Sequence, residues 1–521
     1  MTNPPSGKKW RKEKCFSPRS CPFSPIEKPI RVKSQPPQPG PGIFHRWRIY
    51  SSARRHRDSA RIESIIDVAA IPTLYRWQYE SRNRPDQEEP TVQLIVHRGT
   101  HEIGGSCVEL KATSTRLILD VGLPLVDADR APFDQRRIHG KSMEELVSEG
   151  TAPNVPGLFT AGPTPDAILL SHSHLDHVGL LKFTNSDIPI YASKGTSQMM
   201  KAGAVFSRQQ ELDRNRHREV SSKQKFTIGE FTVTPYPVDH SSYGAYAFLL
   251  EADGQSLLYS GDLRMHGRKP GMVKDLIADV GAKNIDVLLM EGTHFGSERP
   301  EDRNEYQLEK DILELIKTAP ALVLAAFSPI DVDRLVTYYK ATRQAGRTFV
   351  VDAYAAFVMH LVSGKSGIPA PQRSSGIRVL FNTAFAKRQI QKLEKLFEKD
   401  QITLDEMLTE PGKYTMVFRP SMVKLDFDGT LPQSSRCLYS YWQGYLTKPD
   451  WVELQEHLAG VQGDFFPAHT SGHIYVKDII RFVEAINPQT VIPIHTFEPE
   501  QYHEHFPNVR VLEDGEVFEV A

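Results

Sequence analysis

Three histidines and an aspartate lie close together in residues 171–177, directly after a short apolar run that predicts a buried strand. Side chains alternate along an extended chain, so His172 and His174 should point to the same side. Asp176 and His177 follow around a turn, where an apolar segment can begin a helix. Imidazole nitrogens and carboxylate oxygens are ligands of Zn²⁺ and, at harder sites, of Mn²⁺ or Fe. Four such groups on one loop exceed the needs of one open catalytic metal and favour two metals sharing a site. The alternative is a polar loop without ligands.

Three more residues of ligand type lie at the ends of apolar segments. His240 sits in a loop between two predicted strands, Asp262 follows a strand at residues 257–260, and His495 follows another at 490–494. Taken singly, such an aspartate is commonly a turn residue, and such a histidine is commonly a hydrogen-bonded core residue. Together with the loop at 171–177 they form a candidate metal-binding set, because α/β folds place ligands at strand ends.

Glu291 also ends an apolar strand, and His469 and His473 bracket a Thr-Ser-Gly turn. A carboxylate that holds an imidazole sets its tautomer and raises its pKa toward that of a useful general acid. Glu291 and His473 are therefore a candidate acid pair. The structural alternative for Glu291 is a carboxylate in a turn. The structural alternative for His469 is a residue beside a helix cap.

The chain divides by composition. Residues 1–60 hold 14 Lys and Arg against 3 Asp and Glu, which leaves 49 against 61 in an acidic remainder of this 521-residue chain. The Pro- and Arg-rich residues 1–91 predict a disordered basic extension and linker. The extension either binds phosphate backbones, or directs organellar import, or has no function. Four cysteines without CxxC pairing fit a reducing cytoplasmic interior. No apolar stretch reaches 18 residues, so the sequence predicts no membrane span.

Secondary-structure patterning changes along the body. From about residue 92 to 303, alternating strands and short turns predict hairpins in mixed sheets. From 304 to 440, helices at 305–317, 331–343, 352–362 and 384–399 alternate with strands, which predicts an inserted α/β unit. Residues 441–521 return with helices at 448–458 and 476–486, a strand at 490–494, and a terminal hairpin at 509–521 around Asp514-Gly515.

The order of these motifs resembles the metallo-β-lactamase fold and, within it, the nucleic-acid-processing β-CASP branch. Asp120, the cluster at 172–177, His240 and Asp262 carry the first resemblance. Glu291, the inserted unit, His473 and His495 carry the second, and the histidines around Thr470-Ser471-Gly472 look most like those of ribonuclease J and its relatives. The resemblance implies an αββα sandwich over 92–303 and 441–521, with an inserted β-CASP α/β domain over 304–440.

Carried over by position, the resemblance implies two divalent metals, Zn²⁺ with Mn²⁺ as the alternative. One metal would be held by His172, His174 and His240, and the other by Asp176, His177 and His495, with Asp262 bridging. Asp120 would orient the ligands. His473, supported by Glu291, would protonate the leaving oxygen, and His469 would contact the scissile phosphate. Asp176, Glu291, His469 and His473 are thus the expected catalytic residues.

The expected function is a metal-dependent phosphodiesterase that cleaves single-stranded RNA, as an exo- or endonuclease, by attack of a metal-activated hydroxide on phosphorus. The alternatives are a β-CASP nuclease acting on DNA, a small-molecule or ester hydrolase on the same dinuclear core, and a non-catalytic scaffold, which the full ligand set disfavours. A homodimer is compatible with the sequence. Arg334, Lys340, Arg343 and Arg347 are candidates to line a strand channel or to form a solvated helix face, and no clear series of stacking aromatics is seen.

The chain departs from ribonuclease J in three ways. Thr496-Phe497 follows His495, where a Gly-Glu pair is common. Phe327-Ser328-Pro329-Ile330 stands where a Ser-Asn pair helps to hold a 5′-monophosphate. The sequence ends at the terminal hairpin, where ribonuclease J normally has a further domain. These departures bear on 5′-end dependence, processivity and assembly, and they leave the expected metal ligands intact.

Overall fold

The computed structural model describes residues 91–127, 130–297, 303–364, 367–374, 376–381 and 387–520. The predicted extension at 1–91 therefore lies outside the described residues, apart from Thr91. Within the described part, the strands form three sheets. No helix of that part combines the length and apolar composition that a membrane span requires.

The first sheet has the strand order β19-β1-β2-β3-β4-β5-β6 and is mixed, since β19 to β3 pair antiparallel and β3 to β6 pair parallel. Its strands are β1 Val92–Arg98, β2 Cys107–Ala112, β3 Thr115–Leu119, β4 Ala167–Leu169, β5 Ile190–Ser193, β6 His217–Val220 and β19 Val517–Val520.

The second sheet has the order β18-β11-β10-β9-β8-β7, in which β7 to β10 pair antiparallel and β10, β11 and β18 pair parallel. Its strands are β7 Phe226–Ile228, β8 Phe231–Pro237, β9 Tyr246–Ala252, β10 Gln255–Tyr259, β11 Val287–Glu291 and β18 Thr490–Ile494. The predicted mixed sheets are thus confirmed.

The two sheets pack face to face. Alternate residues of both inner faces, such as Leu117 of β3 and Phe248 of β9, share one buried core. Helices cover the outer faces: α1 Met143–Ser148, α2 Leu175–Val178 and α3 Lys194–Ser207 lie on the first sheet, and α4 Gly271–Val280 and α12 Val476–Ile486 lie on the second. The resulting layers form the expected αββα sandwich.

The third sheet is parallel throughout, with the order β14-β13-β15-β12-β16-β17. Its strands are β12 Val323–Ala326, β13 Thr348–Asp352, β14 Ile377–Leu380, β15 Tyr414–Val417, β16 Arg436–Tyr439 and β17 Asp464–Pro467. The helices among these strands are α5 Glu305–Lys317, α6 Val332–Gln344, α7 Ala353–Val362, α8 Lys387–Leu396, α9 Leu404–Thr409, α10 Ser421–Leu425 and α11 Pro449–Gly460. Buried clusters on both faces of the sheet fill this α/β unit.

Two sequence predictions differ from the structure. The third sheet continues to β17, beyond the expected boundary at residue 440, because β17 pairs parallel with β16 and α11 packs through Trp451 and Leu454 on the same sheet. The predicted terminal hairpin is wrong, since β19 pairs with β1 and residues 509–513 form no strand apart from a single bridge at Val509. A turn at Asp514-Gly515 is present, but the residues on its two sides do not pair with each other: Val509 bridges to Val491, and β19 pairs with β1.

Candidate metal centre

The candidate ligands converge because the strands that carry them end at one edge of the sandwich. The parallel strands β10, β11 and β18 of the second sheet lead into Asp262, Glu291 and His495. β4 of the first sheet leads into the loop at 171–177, and β8 leads into the loop that holds His240. Residues far apart in sequence therefore meet at the carboxyl ends of neighbouring strands, where α/β folds commonly bind ligands.

One trio consists of His172, His174 and His240, whose ligand atoms all lie within 4.8 Å of one another. His174 Nδ1 is 3.1 Å from His172 Nε2 and 3.1 Å from His240 Nε2. Burial lowers the pKa of all three imidazoles, that of His174 to about 4. Neutral imidazole is the form that binds metal.

A second group consists of Asp176, His177, Asp262 and His495, all buried. His177 Nε2 lies 3.1 Å from Asp262 Oδ2, and His495 Nε2 lies 3.2 Å from Asp176 Oδ2. The Asp262 carboxylate also approaches His172 at 3.7 Å and His240 at 3.9 Å, so it stands between the two groups. Its position is that of a residue able to touch ions in both.

Two of the atoms that would hold metal have no hydrogen-bond partner among the described residues. His177 Nε2 and Asp262 Oδ2 are buried polar atoms without a hydrogen bond. Such orphans are costly unless something is bound there. The opposite ring nitrogens are engaged: His177 Nδ1 donates to Asp120 Oδ2 at 2.8 Å, and His240 Nδ1 donates to the Gly472 carbonyl at 2.7 Å. This division of labour, with one nitrogen anchored and the other presented, is typical of metal-ligating histidines, and the residues therefore fit a pair of divalent cations.

Charges in the cluster offset one another. Burial would lower the pKa of His177, but Asp262, Asp120 and Asp176 outweigh burial and raise that pKa well above its usual value. Burial would likewise raise the pKa of Asp262, but His177, His495 and His473 hold it well below the usual range. The Asp262 and Asp176 carboxylates are thus kept charged by neighbouring histidines, a role that bound cations can take over.

Asp120 holds the loop at 171–177 in place. It directly follows β3, has a left-handed φ of 59°, and accepts hydrogen bonds from Ser171 N at 2.7 Å and from Ser171 Oγ at 2.6 Å. The Tyr259 hydroxyl, at 2.7 Å, is a further donor to Asp120. Two residues later, Gly122 allows close approach, because a Cβ there would lie 1.7 Å from the Asp176 carbonyl oxygen. Asp120 therefore fixes the orientation of His177 without belonging to any of the ligand groups.

His473 lies beside the cluster, in contact with Glu291. His473 Nδ1 is 3.1 Å from Glu291 Oε2 and 3.6 Å from Asp262 Oδ2. Burial would lower the pKa of His473, but Glu291 and Asp262 raise it to about 9, so the imidazole can hold a proton near neutral pH. The expected contact between Glu291 and His473 is present. The same atoms also form a third group that could hold an ion, with Asp262, Glu291, His473 and His495.

His469 stands apart from the three groups. Its Nδ1 lies 3.1 Å from the Ser440 carbonyl oxygen at the end of β16. Its expected contact with the scissile phosphate remains a prediction. The turn that joins it to His473 is held by Arg264, whose guanidinium donates to the Ser471 carbonyl at 3.2 Å.

The predicted channel arginines have a different role. Arg334 is fully buried and its Nε donates to Glu305 Oε1 at 3.0 Å. Arg347 is buried and donates to the Ala319 and Ala321 carbonyls, and Arg343 contacts the Arg347 carbonyl. The channel prediction is wrong for Arg334 and Arg347, because both guanidiniums satisfy carboxylate or carbonyl groups inside the inserted unit. Lys340 is exposed, as a solvated helix face would have it.

Sequence reasoning missed residues that tie the cluster together. Thr293, two residues after Glu291, donates to Glu291 Oε2 at 2.8 Å and lies 3.0 Å from His495 Nδ1. The position of Thr293, just after the end of β11, is the feature of the sequence that could have indicated it. His495 itself has a left-handed φ of 52°, and its N–H donates to the Gly99 carbonyl at 2.7 Å. Such a conformation in a non-glycine residue is typical of functional sites.

Comparisons with known proteins agree with this architecture. Residues 145–337 match the profile of the beta-lactamase superfamily domain. An RNase J-like protein of Methanocaldococcus jannaschii is 25% identical over 258 residues, 46% of this chain and 52% of that protein. Ribonuclease J of Mycolicibacterium smegmatis is 24% identical over 434 residues, 76% of this chain and 67% of that protein.

A solved structure of a protein of unknown function from Enterococcus faecalis superimposes with a TM-score of 0.65 at 22% identity, covering 82% of this chain and all of that chain. That likeness concerns the fold alone. The first two curated relatives are matched over about half of their length. The chain thus resembles ribonuclease J-like proteins of the metallo-β-lactamase fold, as its motif order predicts.

Proposed function

We propose that this chain is a metal-dependent hydrolase that cleaves phosphodiester bonds of single-stranded RNA. The observation that carries the proposal is the convergence of seven side chains around two adjoining ligand groups, with a paired acid, His473–Glu291, beside them. The names of the similar proteins support RNA as the substrate. The proposal assigns to this chain the reaction class that such a constellation serves.

His172, His174 and His240 would hold one divalent cation, and Asp176, His177 and His495 would hold the second, with Asp262 shared. We propose Zn²⁺, because imidazole-rich sites of this size suit it, with Mn²⁺ as the alternative. When bound, such ions lower the pKa of water to about 7 and neutralise charge on phosphoryl oxygens.

The chain's own residues complete the reaction. Asp120 keeps His177 oriented, and Asp262 sits where it can hold both halves of the centre in register. His473, protonated through its contact with Glu291, would donate its proton to the departing 3′ oxygen, a contribution of roughly 10²–10⁴-fold in rate. His469 would contact the scissile phosphate from the turn that it shares with His473.

Aromatic side chains near the centre support a single-stranded substrate. Trp442 is 43% exposed, which is unusual for so large an apolar side chain. The Lys448 ammonium lies 4.0 Å from the Tyr445 ring centroid. Burial and, to a smaller degree, the Asp176 carboxylate raise the pKa of the Tyr445 phenol. An exposed indole and a ring beside a cation are elements on which single-strand binders stack bases.

The test is cleavage of matched 5′-labelled RNA and DNA strands by the full-length protein supplied with Zn²⁺ or Mn²⁺. The proposal expects RNA cleavage, its loss with a chelator, and its loss in Asp176→Asn with the fold intact by circular dichroism. The product ladder reports exo- or endonucleolytic action. Cleavage of DNA alone would overturn the RNA assignment. Faster turnover of a generic lactone or ester than of any oligonucleotide would overturn the nuclease assignment.

A further inference from the structure

A cavity of about 570 Å³ opens next to the metal centre, on the side of Asp176 and His495. Phe497, two residues after His495, forms part of its wall. Pro124 and Val126 form another part, and Leu125 between them packs with Asp176 around Gly104: a Cβ on Gly104 would lie 2.8 Å from Leu125 and 3.0 Å from Asp176. The cavity wall therefore lies beside the ligand group that contains Asp176 and His495.

Two arginines in this cavity are each supported by an aromatic ring. The Arg130 guanidinium lies 4.8 Å from the Phe497 ring centroid, and the Arg137 guanidinium lies 5.6 Å from that of Phe133. A guanidinium over a ring is held flat, and its N–H donors face outward from its edge. Such a fork matches the two oxygens of a phosphate.

The carboxylates of the same wall are already engaged. Glu102 pairs with Arg98, Glu149 pairs with Lys141, and the Asp127 carboxylate accepts from the Ala131 N–H at 3.0 Å. Within the described ranges, no carboxylate lies within 4 Å of the Arg130 or Arg137 guanidinium nitrogens. The cavity thus presents two guanidiniums, each beside an aromatic ring and without a paired carboxylate among the described residues.

We infer that this cavity binds backbone phosphates of the RNA strand that flank the scissile bond, with Arg130 and Arg137 as the phosphate-contacting residues. The inference rests on the proposed function. A polyanion is the ligand that two unpaired guanidiniums of one cavity select, and an RNA strand lying across the centre would pass the cavity that Phe497 lines. Phe497 and Phe133 would position the two guanidiniums.

The test compares two substrates of the metal-loaded, full-length protein. One is a short labelled single-stranded RNA, and the other is bis(p-nitrophenyl) phosphate, which is too small to span the centre and the cavity. In the double variant Arg130→Gln/Arg137→Gln, kcat/KM for RNA relative to that for the small phosphodiester should fall about tenfold. The slope of log kcat/KM against log salt should become shallower by about 1 to 1.5, since each lost single-strand phosphate contact removes about 0.7. Phe497→Leu should give a smaller loss in the same direction.

Arg136→Gln is the matched control. Arg136 lies in the same short helix as Arg137 but is not part of the cavity wall, and it pairs with Asp134 at 2.9 Å. Its RNA-to-small-substrate ratio should stay within twofold of wild type.

If the double variant keeps the wild-type ratio and the wild-type salt slope while wild type cleaves RNA, the inference fails and the proposed function stands. If wild type cleaves the small phosphodiester but no RNA, both fail together. A loss equal for both substrates would also contradict the inference, because it would show damage at the centre and not in the cavity.

Discussion

At the scale of single residues, the centre is defined by how each imidazole divides its two nitrogens. His177 and His240 each donate through Nδ1 to a fixed acceptor and present Nε2 to the cluster. His473 differs, since its Nδ1 faces the Glu291 carboxylate and the edge of the cluster. This difference in partners is the basis for proposing His177 and His240 as metal ligands and His473 as the acid.

The first prediction concerns the pH dependence of cleavage. Protonated His473 is the proposed acid, so activity should fall as the pH rises through the pKa of His473, which Glu291 helps to raise to about 9. Glu291→Gln removes the main opposing charge and keeps the size of the side chain. The alkaline limb of the pH profile of kcat should therefore move to lower pH by about one unit or more. An alkaline limb that stays in place would show that Glu291 does not control the acid.

The second prediction separates the acid role of His473 from a ligand role, because His473 also belongs to a group that could hold an ion. His473→Ala should lower kcat by roughly 10²–10⁴-fold and leave the bound metal unchanged by elemental analysis. His495→Ala serves as the comparison and should lose metal. A His473→Ala protein that has lost metal to the same degree would reassign this residue as a ligand.

At the scale of elements, a buried ionic network joins the inserted unit to the turn that carries His469 and His473. Arg334 of α6 pairs with Glu305 of α5 and also donates to the Thr470 carbonyl at 3.2 Å. Arg264, two residues after Asp262, pairs with Asp333 of α6 at 2.8 Å. The network therefore holds α5, α6 and the turn at 469–473 in one arrangement.

The third prediction is that Arg334→Met destabilises the protein by about 3–5 kcal/mol at neutral pH, because it leaves the Glu305 carboxylate buried and unpaired. In wild type, burial is outweighed by Arg334 and Arg264, which lower the pKa of Glu305 to about 2. Wild type therefore gains stability from this group above pH 4.5 and loses it as the pH falls toward 2. In the variant the pKa is raised, so its penalty is largest at high pH and shrinks on acidification.

The measurement is the urea midpoint of both proteins at pH 7.5 and pH 5, with Lys317→Met as the control. Lys317 pairs with Glu314 on the exposed face of the neighbouring helix α5, at 2.8 Å, and its loss should shift stability by about 0.5 kcal/mol or less. A deficit for Arg334→Met that is no larger than that of the control, or that grows on acidification, would contradict the account of the network.

At the scale of the whole molecule, the features that could be predicted from the sequence are those that apolar periodicity and position at a strand end reveal. The helices at 305–317 and 476–486 and the strand at 490–494 lie where predicted, because their apolar spacing is unambiguous. The candidate ligands could be singled out because their segments follow apolar strands, and the structure brings them together. Strand pairing between distant segments could not be predicted. β19 pairs with β1, which lies at the other end of the described sequence, and nothing in the local sequence of β19 distinguishes this pairing from a hairpin.

Some residues of the candidate site could be predicted from the sequence and others could not. Types and spacing singled out His172 and Asp262, but not Tyr259 or Thr293, which bind their neighbours through hydroxyls that look ordinary in sequence. Arginines were misjudged for a related reason. A buried guanidinium such as that of Arg334 and an exposed one such as that of Arg130 are indistinguishable until the tertiary structure assigns their partners.

The account depends most directly on two cations being held by the converging ligands. Elemental analysis of the full-length protein, dialysed after loading with Zn²⁺, should give about two ions per chain, and His174→Ala, which removes one ligand of the first trio, should give about one. A stoichiometry of one or none in wild type, or an unchanged stoichiometry in His174→Ala, would contradict it.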